Sequence, residues 1–227
     1  LIYTLIKAYK KMNLIIKSLN FSYENEEVFK NLNLNFKSGV INTISGPSGS
    51  GKTTLLNLIA GLEKPSSGSI ILDDVIQCDS YKFVEPENRN IGFVFQDFAL
   101  FPHLNVEQNI KFSDNFNTFR GPSFQFAQIT SQLSLKEHVS KYPHELSGGQ
   151  QQRVSLARAL FSEPKILLID EPISNQDKDN KIKIIETVSE YIIENDYRKE
   201  KETICILVSH EDINDYIQVE TKSYKLS

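Results

Sequence analysis

Residues 46–54 read GPSGSGKTT, and the fold of the whole chain follows from how this stretch is read. It matches GxxxxGK[ST] through Gly46, Gly51, Lys52 and Thr53. Glycines let the backbone curl so that successive N–H groups point into one concavity suited to phosphate oxygens. A helix starting where the loop ends adds the positive end of its dipole. Lys52 supplies a compact charge for the β- and γ-phosphates, and the Thr53 hydroxyl can ligate Mg2+. Gly46, Pro47, Ser48, Gly49, Ser50, Gly51, Lys52, Thr53 and Thr54 are therefore expected to form one phosphate site. A Gly/Ser loop that merely caps a helix has a similar composition, so the flanking elements decide the matter.

Both flanks are present. GVINTIS (39–45) is strand-like, and KTTLLNLIAGL (52–62) has helical spacing and closes on KPSSG. Upstream, LIIKSLNFSY and KNLNLNF alternate apolar and polar residues, as half-buried antiparallel strands do. SIILDD and NIGFVFQ (90–96) read as further strands. The region from about Asp97 to Phe161 looks helical, with breaks at Pro102, Pro122 and Pro143. KILLID (165–170) and ETICILVSH (202–210) carry the unbroken apolar runs of strands buried on both faces. Between them lies an amphipathic helix, with Ile182, Ile185, Val188 and Ile192 expected inward. The order implies an α/β core with a mostly parallel sheet, N-terminal antiparallel strands and an inserted helical subdomain at about 97–161.

Asp170 ends an apolar strand, which places its carboxylate at the carboxyl edge of the sheet, where α/β folds bind ligands. Beside a phosphate loop, such an acid is expected to hold Mg2+, and Glu171 follows closely enough to polarise an attacking water.

Composition narrows the function. The net charge is −4 and no Lys/Arg block stands out, so a nucleic-acid partner is not expected. No segment approaches the roughly 18 uncharged apolar residues of a membrane helix. The opening LIYTLI stops at Lys7 and lacks the cleavage site of a signal peptide. The single methionine is Met12, so residues 1–11 read as an upstream extension and 12–227 as one domain. Cys78 and Cys205 suggest neither a disulfide framework nor a zinc site, and Cys205 reads as a core-strand residue.

The most specific stretch is LSGGQQQR (146–153), a polar turn at the head of a helix in mid-chain. With it, the chain from about Met12 to His210 resembles the nucleotide-binding ATPase subunit of ATP-binding cassette (ABC) transporters. The order of phosphate loop, Gln96, LSGGQ turn, Asp170-Glu171 and His210 is also that family's order. The resemblance implies a P-loop ATPase core that uses ATP and Mg2+. It implies that Tyr23 stacks on adenine and that Gln96 touches Mg2+ or the lytic water. Asp170 would be the Mg2+ carboxylate, Glu171 the general base and His210 a contact to the γ-phosphate. Ser147, Gly148 and Gly149 would serve the nucleotide of a second ATP-binding subunit, a homodimer being expected.

SNQD (174–177) matches the family loop that crosses the dimer contact, with Asp177 kept and Gln176 in place of the usual leucine. Only residues 211–227 follow His210, where family members usually continue with a helix, strands and often a β-rich regulatory domain. The surrounding sequence looks most like iron, polyamine, thiamine or sulfate importer subunits. The implied partners are integral membrane permease subunits and a solute-binding protein, at the cytoplasmic face of the plasma or inner membrane. Lipoprotein release, cell-wall remodelling and non-transport ATPase roles remain open alternatives.

Overall fold

A computed structural model describes residues 11–24, 26–112, 126–171, 178–198, 202–209 and 219–226. Strands β1 (Asn13–Tyr23), β2 (Glu26–Lys37), β4 (Ser67–Leu72) and β5 (Val75–Cys78) form an antiparallel sheet in the order β2-β1-β4-β5. Strands β3 (Ile41–Ser45), β6 (Ile91–Val94), β7 (Ile166–Asp170), β8 (Ile204–Val208) and β9 (Thr221–Lys225) form a second sheet, ordered β6-β7-β8-β3-β9. Every pairing in that second sheet is parallel among the described residues. The antiparallel strands read from the sequence thus segregate into a sheet of their own.

Helix α1 (Lys52–Ala60) follows β3 directly. Helices α2 (Val106–Ile110), α3 (Phe126–Gln132) and α4 (Gly148–Phe161) occupy the segment read as helical, and α5 (Lys178–Arg198) joins β7 to β8. The sequence of α5 places Ile185, Val188 and Ile192 in the core as expected. Ile182 is only half-buried, however, and Ile184 and Tyr191 fill the core instead. At 100° per residue, 184, 185, 188, 191 and 192 make one continuous stripe from which 182 is rotated away.

Side-chain alternation divides the core in two. Leu167, Ile169, Cys205 and Leu207 face the side covered by α2 to α5. Ile166, Leu168, Ile204, Ile206 and Val208 face α1 and the antiparallel sheet. Parity therefore sends Asp170 to the α1 side, the side of the phosphate loop, and it is buried there. β8 lies between β3 and β7, so three carboxyl ends line up along one sheet edge: Ser45, Ser209 and Asp170.

Candidate functional site

At that edge the phosphate loop turns from β3 into α1. Gly51 takes φ +86°, and a Cβ there would stand 2.7 Å from both the Phe29 ring and Val28 Cγ1. Glycine is thus required twice, by conformation and by space. At Gly46 the demand is purely steric: a Cβ would meet Leu226 O at 2.7 Å. Lys52 is buried, and its ammonium donates to the carbonyls of Gly46 (3.0 Å) and Pro47 (2.8 Å), so it arches back over its own loop. Thr53 is exposed beside it.

The loop opens on a cleft of about 400 Å3. Ser48, Gly49, Gly51, Lys52, Thr53 and Thr54 line one side, Gln96 and Glu171 the other, and Tyr23 stands at the mouth. Tyr23 is 42% exposed, and its ring meets that of Phe21 edge-on at 4.7 Å. Glu26 and Val28 also line the cleft, although in sequence they are ordinary strand residues. Their signal is register: Glu26 pairs with Tyr23 across the β1–β2 hairpin, so whatever stacks on the tyrosine lies beside them.

Gln96 and Glu171 approach each other from neighbouring strands. Gln96 Nε2 stands 3.5 Å from Glu171 Oε2, the outer limit of a hydrogen bond. Glu171 adopts a left-handed backbone at φ 43°, uncommon for a residue with a side chain and typical of functional turns. Its N–H donates to Val208 O at 3.2 Å, which anchors it to β8. The turn after Gln96 is also left-handed, at Phe98 and Ala99. Arg158 of α4 holds it, donating to Ala99 O (2.7 Å) and Phe98 O (3.0 Å) with its guanidinium over the Phe101 ring. Burial lowers the Arg158 pKa, but a guanidinium starts so high that it stays charged. Nothing in an amphipathic helix sequence singles this arginine out.

The cleft is lined by the Thr53 hydroxyl and the Gln96 amide, and β7 ends at the same sheet edge in the Asp170 carboxylate. Asp170 is buried and does not line the cleft; with Thr53 and Gln96 it makes a set of oxygen donors. Such a set suits a hard, oxygen-seeking cation such as Mg2+.

Ser147, Gly148 and Gly149 do not join this cleft. Ser147 caps α4 with a reciprocal box: Gln150 N donates to Ser147 Oγ (3.3 Å) and Ser147 N to Gln150 Oε1 (2.9 Å). Ser147 and Gly148 are exposed, and a Cβ on Gly148 would meet nothing within 4 Å. His210 and Asp177, with Gln176, lie outside the described residues.

Comparison with known proteins fits this geometry. The family model described as "ABC transporter" matches residues 29–174. The spermidine/putrescine import ATP-binding protein PotA of Thermotoga maritima is 42% identical over 164 residues, 71% of this chain and 44% of that protein. The probable sulfate/thiosulfate import ATP-binding protein CysA of Chlorella vulgaris is 41% identical over 170 residues, 73% of this chain and 70% of that protein. The chain thus spans less than half the length of the first relative. Among solved structures, the dimeric post-hydrolysis state of the ATP-binding cassette MJ0796, bound to ADP and Pi, superposes with a TM-score of 0.71. It is 33% identical, and the match covers 89% of this chain and 90% of that one. From motif order, fold and these likenesses together, the chain belongs to the ABC transporter family.

Proposed function

We propose that this chain binds ATP and hydrolyses it to ADP and phosphate, powering solute import through a separate membrane permease. The observation that carries the reading is the split between two surfaces. One cleft joins Lys52 and Thr53 to Gln96 and Glu171, while the LSGGQ turn is presented outward, away from that cleft. Among the described residues no helix is long and apolar enough to cross a membrane. The import names carried by the relatives support a role beneath a permease at the cytoplasmic face, with a solute-binding protein delivering cargo.

In this mechanism Tyr23 offers its exposed ring to adenine. Lys52 exchanges the carbonyls of Gly46 and Pro47 for β- and γ-phosphate oxygens, joined by the N–H groups of the loop and the first turn of α1. Thr53, Gln96 and Asp170 would hold Mg2+, whose charge offsets the negative charge on the phosphoryl oxygens. Ser147 and the N–H groups at Gly148 and Gly149 of a second copy close over the γ-phosphate and exclude bulk water. Glu171 orients the attacking water and accepts its proton, and Gln96 steadies the same water. The family resemblance adds a γ-phosphate contact for His210 and a place at the dimer contact for Asp177, both outside the described residues. Loss of the γ-phosphate removes what bridges the pair, and the helical segment with the Gln96 turn carries the reopening to the permease.

Glu171→Gln tests the assignment. The variant keeps its shape and its ATP affinity but loses turnover by about 10²–10⁴-fold, the usual worth of a positioned base. Turnover within a few-fold of the parent protein would refute the role.

A further inference from the structure

The capping box of α4 has a third member. Gln150 Nε2 lies 3.1 Å from Nε2 of His138, which ends a short 3-10 turn, Lys136–His138. The direction of every hydrogen bond in this chain of groups is determined. The backbone N–H of Ser147 can only donate, so the amide atom facing it at 2.9 Å must be Oε1 of Gln150. The amide's other end is then an NH2 group, a donor, pointed at His138. The ring nitrogen that receives it must carry a lone pair, and the imidazole proton must sit on Nδ1. His138 Nδ1 is buried and finds no hydrogen-bond partner among the described residues. The ring thus adopts a tautomer that leaves its own N–H unpaired, and what it gains is the bond to Gln150.

We propose that His138 is a positioning residue for the LSGGQ turn. Its bare Nε2 fixes the amide of Gln150, and the amide in turn fixes Ser147. A ring bearing Nε2–H would oppose donor to donor. The amide would rotate to present Oε1 to the ring, and its NH2 would then face the Ser147 N–H. The reciprocal half of the capping box, Ser147 N–H to Gln150 Oε1, would be lost on the residue whose hydroxyl and neighbouring N–H groups form the donor surface. The consequence for pairing rests on the reading that this turn serves a second copy's nucleotide.

Three substitutions separate shape from acceptor. His138→Phe keeps an aromatic ring without a lone pair, His138→Lys offers only donors, and His138→Gln restores a carbonyl acceptor of similar reach. Amide exchange at Ser147, followed by NMR, quickens at least about threefold in the Phe and Lys variants, as the loss of a cap implies, and stays near parental in the Gln variant. In a Glu171→Gln background, the ATP concentration that drives pairing rises by about three- to tenfold in the first two variants and recovers in the third. Equal Ser147 exchange in all four proteins would overturn the proposal. If the Glu171→Gln parent itself stays monomeric in ATP, the shared-site reading fails, and the exchange measurement still decides the role of His138.

Discussion

Gly148→Ala tests whether the LSGGQ turn is built for this chain or for another. The turn's glycine lies at the first position of α4, outside the left-handed region, and an added Cβ would meet nothing within 4 Å. Folding therefore has no reason to resist the methyl. Alanine should help, because glycine costs a helix about 0.5–1 kcal/mol relative to alanine and somewhat less in a first turn. With a urea m-value of about 1–3 kcal/mol/M, the midpoint should stay level or rise by up to a few tenths molar. ATP affinity of the isolated chain should hold, since Gly148 does not line the chain's own cleft. Hydrolysis should collapse, because the methyl would stand between a phosphoryl oxygen and the N–H groups meant to receive it. Losing one such donor costs about 10²–10³-fold in other enzymes. The assays are urea denaturation, nucleotide titration and steady-state phosphate release. Destabilisation by more than about 1 kcal/mol would show that the glycine serves its own fold. Hydrolysis within a few-fold of the parent would show that nothing closes on this turn. Gly149→Ala is a poorer probe, because its Cβ would crowd Asn180 at 3.3–3.4 Å.

Two further outcomes follow from the packing. Gly51→Ala forces a left-handed alanine, at about 1–2 kcal/mol, and overpacks Phe29 and Val28, at about 1–3 kcal/mol more. A urea midpoint near the parent's would contradict the geometry. Burial raises the thiol pKa of Cys78, and that of Cys205 to about 12, so neither forms much thiolate near neutrality. Alkylation followed by mass spectrometry should find both cysteines unmodified in the native protein and both modified in denaturant, and rapid native labelling of Cys205 would contradict its burial.

Much of the fold was legible because burial writes itself into composition. β7 and β8 are covered on both faces, so their apolar runs could hardly be anything else. Parity along β7 even foretells that Asp170 lies on the α1 side of the sheet. β5 and β9 were not legible. β5 keeps Val75 and Ile76 outward, with neither alternation nor a run. β9 reads TKSYK and is a strand only because β3 offers it a free edge. The cleft followed the same rule. The loop and the Asp170-Glu171 pair carry their chemistry in adjacent residues, where spacing can be counted. Arg158 acquires its place from Phe98 and Ala99, about 60 residues away, while Glu26, Val28 and His138 acquire theirs from strand register and a turn-to-turn contact that residue type alone does not record.

The place of β3 has a consequence for synthesis of the chain. Its neighbours in the sheet are β8 and β9, and 163 residues separate Asn42 from Cys205, where one of these contacts is made. A nascent chain that has just extruded GPSGSGKTT therefore has neither neighbour for the strand that carries it. Leu226, whose N–H donates to Ser45 O at 2.9 Å and whose carbonyl crowds Gly46, arrives later still. Contacts this distant in sequence close slowly and late. The loop that grips the nucleotide should thus be among the last parts to take shape, with β3 exposing two unpaired edges in the meantime. On the ribosome, ATP should find nothing to bind until nearly the whole domain has emerged.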